Sequence, residues 1–262
     1  MTTRTKKKQS ATKTKSGRKK TILKKVTLKK VVTGSTRTGT IKLKVVRKKP
    51  EGIPDKMTLR KALLYAEPRV TKKRFLHILG VAKVGDELAK LAGVNRFLVG
   101  LACLLHDSCK EMKDSELLSQ AKKGRLKLSA IDKKNGHLLH GPVAALTIKK
   151  ELKISNKEVL NAIREHTLGA VGMTDISKVV FLADCLEPGR PADFTQPIWQ
   201  ALKEPVPTGS GRCKINLDNA MLVACDLSLA HLLSSRRSIH PRTVDVRNHF
   251  LGIVRAAQKA SS

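Results

Sequence analysis

Acidic residues are absent from the first fifty positions of this chain, and so are aromatic ones. That stretch carries 19 lysines and arginines with nothing to balance them. A segment so poor in apolar surface cannot offset the entropy of its own ordering, so residues 1–54 are expected to be a disordered basic arm. Without aromatic platforms or a recognition motif, any contact of residues 1–50 with nucleic acid or ribosome would be non-specific and salt-sensitive. Arginine is scarce there too: 15 of the 19 basic residues are lysine, which argues against an organellar transit peptide. No apolar run approaches the roughly 20 residues of a membrane helix. No apolar stretch follows the start, so no secretory signal is expected. The five cysteines, Cys103, Cys109, Cys185, Cys213 and Cys225, show no CxxC spacing. Reduced thiols and a cytoplasmic setting are the simple reading.

The remainder, residues 55–262, is long enough for one core. Within the arm, Val and Ile alternate with Lys over 22–48 around a Thr/Gly turn, a weak hairpin pattern. From Met57 onward the periodicity is helical. Leu76, Leu79, Val84, Leu88 and Leu91 mark one apolar face that Gly93 closes. Asn95 is placed to cap a helix running into His106, and Asp114 or Ser115 to cap a short one after it. Residues 122–137 read as a basic loop. A helix is expected after Pro142, and another from Ser155-Asn156 with Glu158 in a capping box, ending at Gly169. Thr174 caps a further helix that stops at Pro188-Gly189. The segment 203–212, KEPVPTGSGR, reads as a loop. Helices follow over Asp218–Leu233 and after His240-Pro241. Nothing outside the arm resembles a strand, so the expected fold class is all-α.

Along these helices lie His77, the adjacent pair His106-Asp107, His140, His166 and Asp184, all nitrogen or oxygen ligands. An HD dipeptide alone is weak, but its surroundings are specific. His77 lies in RFLHILGVAKVGDELAKLAGV and the pair in LACLLHDSCKEM. His140 lies in HLLHGPVAA, His166 in IREHTLGAVGM and Asp184 in FLADCLEPGR; IHPRTVDVRN comes later. In this order, from about Arg74 to Asn248, the segments resemble the HD-domain superfamily. They are most similar to its YqeK family, the symmetrical dinucleoside-tetraphosphate hydrolases. The basic extension and the 203–212 segment depart from the family pattern.

The resemblance implies an all-α HD bundle holding two transition-metal ions, iron by family and manganese as the alternative. It places Asp107 between the ions, with His77, His106 and Asp184 around the first. His140 and His166 then reach the second ion or the phosphates it holds. The implied reaction is diadenosine tetraphosphate plus water giving two ADP through a metal-bound hydroxide. Two ions suit it because they activate water and neutralise phosphate charge together. Lys110, one helical turn past His106, and Arg190, just after the Pro188-Gly189 turn, are the candidate phosphate contacts, with Thr167 as a hydroxyl donor. His137, three residues before His140, competes for its role, but the following Gly-Pro favours His140. His231 belongs to core or helix surface. His240 caps a helix or lines the pocket. Asp86, Glu87, Asp114 and Asp132 read as solvated surface. Two rival functions stay open: an HD phosphohydrolase of mononucleotides or cyclic dinucleotides, and a nucleic-acid or ribosome-associated protein using the domain as scaffold.

Overall fold

The structure, a computed structural model, describes residues 49–205 and 214–261. Residues 1–48 of the expected basic arm, with its hairpin, most of the 203–212 loop and Cys213 lie outside the described residues. Residues 49–54, expected to belong to the arm, instead pack on the helices, with Ile53 buried and Gly52 O accepting from the Ser155 and Asn156 N–H groups. Among the described residues there is no strand.

Eleven α-helices occur among the described residues. The first three are α1 (Leu59–Ala66), α2 (Lys72–Ala92) and α3 (Arg96–Leu105). Side-chain oxygens set their starts. Thr58 accepts from the Lys61 N–H, Thr71 from that of Arg74, and Asn95 from those of Phe97 and Leu98. Gly93 ends α2 at φ 70°, a left-handed conformation that glycine adopts without a Cβ clash. Helix α3 is apolar around its circumference, and every residue from Leu98 to Leu105 is buried. It is therefore the axis of the core, with α1 and α2 laid against it.

Next come α4 (Asp114–Lys123), α5 (Ala130–Lys134), α6 (His140–Glu151), α7 (Lys157–Glu165) and α8 (Asp175–Leu186). Helix α8 packs against α2, α3 and α7, and α7 packs against α3 and α6. Leu101, Leu105, Ile148, Ile163 and Leu182 are wholly buried where these helices meet. Each such side chain contributes about 1.5–3 kcal/mol on removal from water. The bundle is completed by α9 (Ala192–Lys203), α10 (Leu217–Ser234) and α11 (Pro241–Ser261), with α10 touching α8, α9 and α11.

Several local expectations shift. The cap of α4 is Lys113, not Asp114 or Ser115, because the Glu116 carboxylate accepts from the Lys113 N–H at 3.0 Å. Asn156 caps α7 through the Val159 N–H. Its third helical residue is Val159, so Glu158 closes no capping box. Helix α6 starts at His140, two residues before Pro142. The stretch 122–137 is not a plain loop: it holds α5 and a 3-10 turn over Gly136–Leu139. Asp132 is buried rather than solvated, accepting from Ser129 N–H and Oγ–H and lying 3.3 Å from His240 Nε2. His240 itself takes the capping role, since its Nδ1 accepts from the Arg242 N–H at 3.0 Å.

Candidate metal centre

All six expected donors converge between α2, α3, α6, α7 and α8. His77 sits mid-way along α2. His106 is the C-cap of α3 and Asp107 follows it. His140 opens α6, His166 is the C-cap of α7, and Asp184 lies on α8. Their donor atoms form three overlapping groups, each within 4.8 Å: His77, His106 and Asp107; His106, His166 and Asp184; Asp107, His140 and His166. His106, Asp107, His140 and His166 are buried, and His77 and Asp184 are partly so.

Asp107 occupies the middle, and its two oxygens face different partners. Oδ1 lies 3.2 Å from His140 Nε2 and 3.5 Å from His166 Nε2. Oδ2 lies 3.5 Å from His106 Nε2 and 3.6 Å from His77 Nε2. Asp184 Oδ1 reaches His77 Nε2 at 3.2 Å.

The imidazoles are aimed by their own backbones. The last carbonyls of a helix lack intrahelical donors, so a side chain at the C-terminal end can use them. Nδ1–H of His106 donates to Cys103 O at 2.7 Å, and Nδ1–H of His166 to Ile163 O at 2.7 Å. His140 does the same with His137 O at 2.6 Å, in the 3-10 turn ahead of α6. A neutral imidazole that donates through Nδ1 keeps a bare lone pair on Nε2. Those lone pairs point inward: His140 Nε2 and His166 Nε2 face one another at 2.9 Å. His77 Nε2 and His106 Nε2 are buried with no hydrogen-bond partner. Opposed and orphaned lone pairs beside two carboxylates are what cations would satisfy, so the donor set fits metal ions.

Charge is arranged to keep the donors available. Burial drives the His106 pKa down to about 4, and burial likewise lowers His140. Burial opposes ionisation of Asp107, but the imidazoles of His106, His140 and His166 around it hold its carboxyl well below the usual range. Asp184 is held low against its burial by His77, His106 and Arg190. His77 moves up: burial works against its charged form, and the carboxylates of Asp184, Glu187 and Asp107 outweigh it.

A cavity of about 260 Å³ opens beside the cluster. Three cations line it: Arg74, Lys110 and Arg190. Lys110 does not lie on a continued helix, as α3 ends at Leu105. It arrives through the turn in which its N–H meets Asp107 O, and its Nζ stands 3.5 Å from His140 Nε2. Burial lowers its pKa. Arg190 folds back on Asp184, donating to Oδ1 at 2.7 Å and to the backbone carbonyl at 3.0 Å. Thr167 Oγ is 3.1 Å from both His140 Nε2 and His166 Nε2. His137 is turned away, 3.7 Å from Asp114 at the surface.

Two residues here escaped the sequence reading. Arg74 donates to Asp107 Oδ2 at 3.0 Å, and Glu187 Oε1 accepts from His77 Nδ1 at 3.2 Å. Both stood in the quoted motifs, RFLH and EPGR, but nothing in spacing pairs α2 with the end of α8.

Comparison with known proteins gives the family. The HD-domain family matches residues 74–189. The symmetrical bis(5'-nucleosyl)-tetraphosphatase of Bacillus subtilis is 31% identical over 134 residues, covering 51% of this chain and 72% of that protein. The one of Staphylococcus aureus is 37% identical over 137 residues, covering 51% and 69%. The chain belongs to the HD-domain superfamily, in its YqeK family. The tetraphosphatase of Halalkalibacterium halodurans extends the match to 191 residues at 29% identity, 73% of this chain and 96% of that one. The crystal structure of a predicted HD superfamily hydrolase involved in NAD metabolism from Clostridium acetobutylicum superimposes with a TM-score of 0.67 at 26% identity. It covers 75% of this chain and 98% of its own. The chain thus spans nearly the whole length of the last two of these proteins.

Proposed function

We propose that this chain is a metal-dependent hydrolase that cleaves dinucleoside tetraphosphates symmetrically, diadenosine tetraphosphate and water giving two ADP. The observation that carries the reading is Asp107. One carboxylate presents its two oxygens to two different pairs of imidazole nitrogens, as a residue between two cations must. Asp107, His77, His106 and Asp184 would hold one ion, and Asp107, His140 and His166 the other. Mixed imidazole and carboxylate ligation favours iron or manganese over magnesium or calcium, and iron is the first choice. When bound, such a pair lowers the pKa of water and neutralises phosphate charge.

The chain's own groups do the rest. Lys110 and Arg190 hold phosphate oxygens from the cavity wall, and Arg74 joins them because its guanidinium lines the same space. Thr167 donates its hydroxyl to the phosphate chain. Water adds to one inner phosphorus, and the oxygen bridging the two inner phosphates leaves with the other nucleoside diphosphate. The relatives named as symmetrical tetraphosphatases support this substrate. In this reading residues 1–48 are a basic segment drawn to polyanions, and residues 49–262 are the enzyme, working in the cytoplasm.

The test is elemental analysis of the purified protein beside His106→Ala and Asp107→Ala, with a substrate panel. Near-stoichiometric iron or manganese lost in both variants, with turnover of dinucleoside tetraphosphates, is expected. Turnover of mononucleotides or cyclic dinucleotides alone would overturn the substrate. Metal-free, inactive wild-type protein that takes up no added ion would favour a scaffold role.

A further inference from the structure

We infer that Glu187 is the positioning residue of this site: its carboxylate fixes the ring of His77 so that Nε2, and not Nδ1, faces the metal cluster. The inference rests on the metal reading above and goes beyond its ligand set.

Three of the four imidazoles are oriented by backbone carbonyls three residues before them. They manage this because they sit where helices begin or end. His77 is the sixth residue of a 21-residue helix. The carbonyls behind it are engaged in the helix, so its Nδ1–H needs an acceptor from elsewhere. Glu187 supplies one, with Oε1 at 3.2 Å.

Glu187 is itself held. Its Oε2 accepts from the Gly189 N–H at 2.8 Å, and Arg190 Nε lies 3.8 Å from Oε1. It is 8% exposed, unusual for a glutamate, and a buried carboxylate implies partners that justify its desolvation. The helix opposite makes room for it. A Cβ on Gly80 would stand 3.2 Å from Glu187 Oε2 and 3.2 Å from Pro188 Cδ. Gly80 is one turn past His77 on α2, so the gap and the ring share a face. A carboxylate acceptor also makes a stronger hydrogen bond than a neutral carbonyl, which raises the donor strength of the opposite nitrogen. His77 is thereby the one imidazole of the four whose donor strength depends on a charged side chain.

Glutamine cannot replace this residue quietly. It offers one acceptor oxygen to two donors, His77 Nδ1–H and Gly189 N–H. Satisfying Gly189 turns the amide NH2 toward the ring and favours the wrong tautomer.

The experiment compares wild type, Glu187→Gln and Gly80→Ala as full-length, metal-stripped protein titrated with Mn2+. Outer partners of ligating histidines are worth about 10- to 100-fold in metal affinity, and E187Q should lose that much. G80A should move the same way by a smaller factor, because its methyl displaces the carboxylate by only tenths of an ångström. At two equivalents of Mn2+ the wild type should give the paramagnetic resonance of a coupled ion pair, and E187Q that of a single ion. The thermal midpoint of the metal-stripped protein should not fall in G80A, since alanine is the better helix former. That variant keeps the test decisive if E187Q folds poorly. Equal Mn2+ affinity and an unchanged coupled signal in both variants would overturn the role of Glu187 alone. Wild type that takes up no Mn2+ would overturn the metal reading and this role with it.

Discussion

At the scale of single residues, acid should undo this site from the inside. His106 has a folded pKa of about 4 against 6.5 for a free imidazole, because burial excludes its charged form. Between those values the unfolded chain binds more protons, so stability rises with pH across the window and is lost as pH falls through it. The expected loss in metal-stripped protein is about 3 kcal/mol from pH 7 to pH 4, read by denaturant unfolding. His140 is lowered too and adds in the same direction. Asp107 and Asp184, held low, add further loss only as pH drops below the usual carboxylate range. His77 runs the other way: its raised pKa gives stability present below pH 6.5 and lost above it. The six residues that converge were legible in the chain because their segments are distinctive. Their aim was not, because it depends on hydrogen bonds to Cys103, His137 and Ile163 carbonyls that exist only once the helix ends are formed. Asp132 was misread for a related reason: its partner, His240, is over a hundred residues away.

At the scale of helices, the site depends on how closely α6 approaches α7. Gly141, next to His140, allows that approach. A Cβ there would lie 2.8 Å from Ile163 O and 3.0 Å from the His166 ring. Gly141→Ala should therefore separate His140 from His166. Overpacking of this kind costs about 1–3 kcal/mol. Turnover should suffer more than stability, by about 100-fold, since small misplacements of a reacting centre are that costly. Thermal unfolding and steady-state rates on the same preparation would check the ordering. Helices with a polar cap or a glycine stop, α2, α3 and α8 among them, could be read in advance from Gly93, Asn95 and Thr174. Helix α5 could not, being five residues inside a basic stretch. Helix α9 was hidden by Pro197 within it and by proline and glycine on its flank.

At the scale of the whole molecule, charge and catalysis should separate. The net charge is +32, and 19 of the positive charges lie in the first fifty residues. Removing residues 1–48 should leave turnover within about two-fold and weaken binding to non-specific duplex DNA, with a shallower salt dependence. Fluorescence titration at two salt concentrations would measure it; loss of turnover with the arm would show that the two parts cooperate. Chelation is the complementary case. An ion bound to the folded chain alone stabilises it by about 4 kcal/mol at a thousand times its dissociation constant. Stripping metal should lower the thermal midpoint, and Mn2+ should restore it.

The donors sit on or at the ends of five helices spread along the chain, with His77 at one extreme and Asp184 at the other. A pair of ions gripping both would close more than a hundred residues into a ring, a fastening that no disulfide among the described residues supplies. Such a rivet can be drawn and reset without breaking a covalent bond, so the rigidity of the bundle would rise and fall with the metal available to it.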